Sequence, residues 1–122
     1  MIKAFLLVGV GGFFGSVARY GVKLLTDKYL PVSFPYGTFF VNILGCFIIG
    51  LLFGLAHRSQ LGANTWLVLA TGFCGAFTTF STFALENNML LAGRQSTTAL
   101  VYTILSLVLG LVLCRWGIAL VR

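Results

Sequence analysis

The residues of this sequence best suited to meet an ion lie in one run, Gly72-Phe73-Cys74-Gly75-Ala76-Phe77-Thr78-Thr79-Phe80-Ser81-Thr82-Phe83. Two glycines followed by four hydroxyls form a poor continuous helix, because Ser and Thr side chains compete for backbone hydrogen bonds. The same hydroxyls can satisfy backbone groups that a break sets free. Further neutral donors are Thr71, just before the run, and Asn42, Tyr102, Thr103 and Ser106 in other apolar stretches. Acidic groups are scarce, with only Asp27 and Glu86 in the chain. Glu86 lies towards the end of the run, where a hydroxyl or cation near Thr82 is the expected partner. Phe80 and Phe83 are three residues apart and share a helix face. A lone phenylalanine among twelve ordinarily packs in a core or faces lipid. These two are embedded among hydroxyls, and the positive edge of an aromatic ring can face an anion. Neutral donors and ring edges fit a small, strongly hydrated anion better than a cation.

The elements that must hold these groups follow from composition. The chain has 122 residues, 59% hydrophobic and 8% charged, with a mean hydropathy of +1.04. An average soluble domain carries about 25% charged residues, so a soluble globular monomer is excluded. About 20 apolar residues cross a hydrocarbon core of about 30 Å. Breakers divide the chain into four such segments, at about 2–26, 36–56, 65–92 and 96–121. The prediction is an all-α integral membrane protein with one transmembrane domain over 1–122 and a third helix broken near its middle. Asp27-Lys28 and Pro31…Pro35 are expected to form the first loop, since proline disfavours helix for the residue before it. Short loops predict that consecutive helices are antiparallel neighbours. Nothing resembles a phosphate-binding loop or a polar nucleotide-binding domain, so any coupling must come from an ion gradient. The net charge of +6 is scattered near span ends, which reads as lipid-headgroup anchoring and not as a nucleic-acid surface. Cys46, Cys74 and Cys114 are isolated in apolar runs and read as small packing residues. Lys3 and the apolar run to Ser16-Val17-Ala18 imitate a secretory signal, but the glycine-rich run is expected to remain as the first span.

Charge also bears on orientation. Lys3, Arg58, Arg115 and Arg122 fall towards one side, and Arg19, Lys23, Lys28 and Arg94 towards the other. Four against four gives the positive-inside rule no preference, which predicts insertion in both orientations and permits an antiparallel homodimer. Gly11xxxGly15 and Gly50xxxGly54 allow close helix packing. The rows Asn42, Cys46, Gly50, Gly54 and Tyr102, Ser106, Gly110, Cys114 each repeat at four residues and lie on single helix faces. Such rows serve as packing surface or as the wall of a polar pathway.

Three blocks carry a family resemblance: Gly11-Gly12-x-x-Gly15-x-x-x-Arg19-Tyr20, then Pro35-Tyr36-Gly37-Thr38-x-x-Val41-Asn42-Ile43-Leu44-Gly45, then Gly72 to Phe83. In this order and spacing the chain resembles the CrcB/Fluc fluoride channels along nearly its whole length. The resemblance implies a dual-topology antiparallel homodimer in the inner membrane of a bacterial cell. It implies two pores that pass fluoride out of the cell, protecting it from fluoride toxicity. It implies no enzyme activity and no organic cofactor. By resemblance, Phe80 and Phe83 are the paired pore phenylalanines and Asn42 a pore-lining donor, with Ser81, Thr82, Tyr102 and Ser106 along a polar track. Arg19 is expected at the aqueous vestibule. The backbone carbonyls of Gly75 and Thr78 are expected to hold a structural Na⁺ where two chains meet. A small proton-coupled multidrug exporter would also be a four-span, dual-topology dimer. It needs a carboxylate deep in a span, and the first span has none.

Overall fold

The computed structural model describes residues 1–122 and is entirely helical. Helix α1 (Ile2–Tyr29) ends where Leu30, the residue before Pro31, turns extended at φ −119°, ψ 152°. Asp27 and Lys28 therefore belong to the helix and not to the loop, a correction to the expected boundary. Lys23 and Asp27, one turn apart, form an exposed ion pair of 2.6 Å that suits a helical last turn. Helix α2 (Tyr36–His57) follows Pro35, whose fixed φ and missing N–H are tolerated at a helix start. Beyond its end, Ser59 takes a left-handed φ of 57°, and the Gln60 N–H returns to the Leu55 carbonyl.

The third hydrophobic segment, residues 63–92, is built in four pieces. Helix α3 (Ala63–Trp66) leads into a π-helical stretch, Leu67–Cys74, and then α4 (Gly75–Phe77). Thr78 and Thr79 are both extended, at φ −87°, ψ 156° and φ −150°, ψ 120°. Helix α5 (Phe80–Ala92) resumes beyond them, and Gly75, expected at an interruption, is itself helical at φ −60°, ψ −35°. Arg94, left-handed at φ 58°, turns the chain into α6 (Ser96–Leu120). All four segments are long and apolar enough to cross a membrane, the shortest at 22 residues. Only 17 of the 122 residues are buried, so much of the apolar surface is left to face lipid or another protein.

Sequence neighbours are not the main packing partners. Helix α6 packs chiefly on α2, and α1 on the π-helical stretch. Glycine decides this, because backbone can approach only where no Cβ intervenes. A Cβ on Gly11 would strike the Val68 carbonyl and one on Gly15 the Phe73 carbonyl, while one on Gly50 would strike Cys114 and one on Gly117 the Phe47 carbonyl. The two expected glycine motifs thus close intramolecular interfaces. The rows from α2 and α6 face each other at Gly50 and Cys114, and the Cys46 thiol lies against Gly110. The three cysteines are free.

Candidate ion pathway

The extended link between α4 and α5 leaves backbone groups without helical partners, and side chains from two other spans take some of them. Asn42 on α2 makes a two-point contact with Thr79: its Nδ2 donates to the Thr79 carbonyl at 3.0 Å, and its Oδ1 accepts the Thr79 N–H at 2.8 Å. This is the pairing that a neighbouring β-strand would give, supplied by one side-chain amide. Arg19 on α1 donates from Nε to the Ala76 carbonyl at 2.9 Å. Thr78 Oγ1 donates back to the Cys74 carbonyl at 2.8 Å. Thr79 caps α5 by accepting the Thr82 N–H, and its hydroxyl donates to Thr82 Oγ1 at 3.1 Å. Ser81 Oγ lies 3.4 Å from the Thr79 hydroxyl.

What remains open is as informative as what is bonded. No backbone or side-chain donor reaches the carbonyls of Gly75, Phe77 or Thr78, and the N–H groups of Phe80 and Ser81 meet no acceptor. The link therefore presents acceptors from the end of α4 and donors from the start of α5. Helix starts favour anions, because their free N–H groups and the helix dipole both point towards added negative charge.

Beside this link lies a groove of about 440 Å³ walled by Asn42, Cys46, Thr78, Thr79, Phe80, Phe83 and Ser106. No acidic or basic side chain lines it. The Ser106 hydroxyl is buried and without a partner. Phe80 is 79% exposed, and its ring lies 5.9 Å from that of Phe83 at an interplanar angle of 39°. Phe83 in turn packs against Tyr102 at 5.0 Å.

A second cavity, of about 340 Å³, opens between the end of α1, the 30–35 loop and α5. Thr38, Thr82 and Glu86 line it, with Lys23 and Asp27 at its edge. Tyr102 is completely buried, and its hydroxyl donates to Glu86 Oε1 at 3.1 Å. Thr103 likewise donates to Asn87 Oδ1 at 2.9 Å.

The structure thus brings Asn42, Phe80, Phe83 and Ser106 to one groove, along with Thr78 and Gly75. Thr82 faces the second cavity, Tyr102 sits beneath Phe83, and Ser81 is on the surface. Arg19 lines neither cavity. Glu86 pairs with Tyr102 and not with Thr82, a contact across 16 residues that no local spacing foretells. The π-helical stretch was also missed, its only local signal being the glycine at 72 where α1 crosses.

Comparison with known proteins places the chain in a family. The family model described as CrcB-like protein, Camphor Resistance (CrcB), matches residues 6–118. A protein named fluoride-specific ion channel FluC from Azobacteroides pseudotrichonymphae is 43% identical over 111 residues, covering 90% of this chain and 89% of its own. Its namesake from Gloeothece citriformis is 45% identical over 117 residues, covering 96% and 95%. That from Flavobacterium psychrophilum is 40% identical over 122 residues, covering 99% and 98%.

Proposed function

Since the chain belongs to the CrcB-like protein family, we propose that it is a fluoride-specific ion channel, a multi-pass protein of the bacterial cell membrane and not an enzyme. The observation that carries this reading is the groove beside Thr78–Thr79, which combines neutral donors, the unpartnered Ser106 hydroxyl and two phenylalanine rings without any charged side chain. Fluoride is held tightly by water, so a pore must replace its hydration with donors and exclude larger halides by width. A fixed positive charge in the groove would trap the ion. The free Ser106 hydroxyl, the second Nδ2 proton of Asn42, the open N–H groups of Phe80 and Ser81 and positive ring edges permit both entry and exit. An inward-negative potential then drives efflux by about 2.3 kcal/mol per charge per 100 mV, which protects the cell from fluoride without any fuel.

The working unit in this reading is an antiparallel homodimer of dual topology with two pores. Irregular backbone at membrane depth is tolerated only where protein buries it or water wets it. The Thr78–Thr79 link, with Gly75 and Phe80 exposed beside it, is only half-covered on a single chain and calls for a second copy. The evenly divided basic residues support insertion both ways. The open carbonyls of Gly75 and Thr78 suit a hard monovalent cation, Na⁺, because such ions take oxygen ligands and these oxygens have no other donor. Na⁺ held there would supply positive charge against the carbonyl dipoles and serve structure. Asn42, Phe80, Phe83 and Ser106 form the pathway, and Ser81, Thr82 and Tyr102 continue it towards the second cavity.

The test is efflux from proteoliposomes loaded with potassium fluoride, read by a fluoride electrode after a potassium ionophore is added, with potassium chloride in parallel. Rapid fluoride release with negligible chloride release is expected. No fluoride release from sodium-containing vesicles that hold verified dimer overturns the reading.

A further inference from the structure

Arg19 carries a full charge in the upper part of α1, half-buried, with no carboxylate beside it. The two acids of the chain are engaged elsewhere: Asp27 with Lys23, and Glu86 with the Tyr102 hydroxyl. The one bond that Arg19 makes is to the Ala76 carbonyl, 57 residues away. That carbonyl is the penultimate one before the extended link, and in an uninterrupted helix it would accept the Phe80 N–H. Here Phe80 starts a new helix and leaves it free. An orphaned carbonyl at membrane depth is costly, and a charge-assisted N–H bond removes most of that cost.

The approach that makes this bond possible is itself built in. Gly15, one turn before Arg19, lets α1 lie on the Phe73 backbone, and Gly11 does the same at Val68. Arg19 is therefore delivered to Ala76 by a glycine-lined crossing. On the opposite side of the link, Asn42 from α2 holds Thr79 by two bonds. The interruption is gripped at both ends, by α1 before it and by α2 after it.

We propose that Arg19 is a positioning residue that acts on the ion pathway through the Ala76 carbonyl, and not a free charge that gathers anions at the pore mouth. It fixes the end of α4, and with it the direction in which the α5 N–H groups and Phe80 face the groove. The pathway itself rests on the fluoride-channel reading, while the grip on the link stands apart from it.

Arg19→Lys separates the two roles, since lysine keeps the charge but loses the planar guanidinium and its Nε–H. Fluoride efflux is measured at low ionic strength and near 1 M salt, where the Debye length is about 3 Å. Backbone hydrogen exchange is followed over residues 75–83 in the same purified dimer. Positioning predicts a loss of efflux of about tenfold that is equal at both ionic strengths, matching a lost charge-assisted bond, with faster exchange confined to that segment. Efflux equal to wild type, or a deficit that fades with salt while exchange is unchanged, overturns it. If Arg19→Lys does not fold, Arg19→Gln, with an N–H donor and no charge, is compared with Arg19→Ala. Greater protection of residues 75–83 in the glutamine variant supports positioning, and equal loss in both overturns it. A wild-type protein that releases no fluoride removes the channel reading, and the exchange measurement still decides whether Arg19 holds the link.

Discussion

Phe80 leaves most of its ring uncovered on the single chain, yet it lines a largely apolar groove that also holds Asn42, Thr78, Thr79 and Ser106, and stands 5.9 Å from Phe83. A ring that served only as lipid-facing bulk would be replaceable by isoleucine. If the ring edges meet fluoride, Phe80→Ile and Phe83→Ile each lower fluoride efflux about tenfold, corresponding to about 1.4 kcal/mol. Each variant should elute from a sizing column as the wild-type protein does, and wild-type efflux in both variants would discard the pore role. The spacing of this pair among hydroxyls was legible in the sequence. The work of Asn42 was not. As a donor in an apolar span it stood out, but its two bonds to Thr79 join positions 37 apart and depend on how α2 lies against the link. Glu86 shows the same limit, for its hydroxyl partner comes from α6 and not from its own helix.

At the scale of elements, glycine sets which helices touch. A Cβ on Gly72 would lie 2.6 Å from the Val8 carbonyl oxygen and 2.9 Å from the Gly11 Cα, with backbone on both sides and no flexible side chain to yield. Gly72→Ala should therefore push α1 from the π-helical stretch and lower the unfolding midpoint in detergent, by the equivalent of about 2 kcal/mol or more. Gly9→Ala is the comparison, because its Cβ meets nothing within 4 Å. It should leave the midpoint unchanged or raise it by up to about 1 kcal/mol through better helix propensity. Similar losses in both variants would show that the crossing is not the cause. The small-residue motifs announced close packing without saying between which helices. Hydropathy marks a span, but partner choice depends on which backbone faces arrive together. The π-helical stretch follows the same logic, since it lies where α1 crosses closest.

For the whole molecule, the even split of basic residues predicts both orientations in one membrane. A C-terminal reporter pair, one active only in the cytoplasm and one only outside it, should both give signal. Lysines added to the exposed 58–62 loop should bias the chain to one orientation and abolish efflux when that variant is expressed alone. Co-expression with a variant biased oppositely should restore it. Full efflux from a singly oriented population would rule out the antiparallel arrangement.

The sequence by itself determined the solvent and the number of crossings, because hydropathy and breakers act locally and are counted along the chain. It also showed that the first span holds no carboxylate, and through three motif blocks the family. Tertiary structure decided which groups stay open. At the link, Arg19 and Asn42 claim the Ala76 and Thr79 carbonyls and leave those of Gly75, Phe77 and Thr78 unclaimed. A backbone oxygen carries no side-chain signature, so its availability appears only when the helices that could cover it are in place.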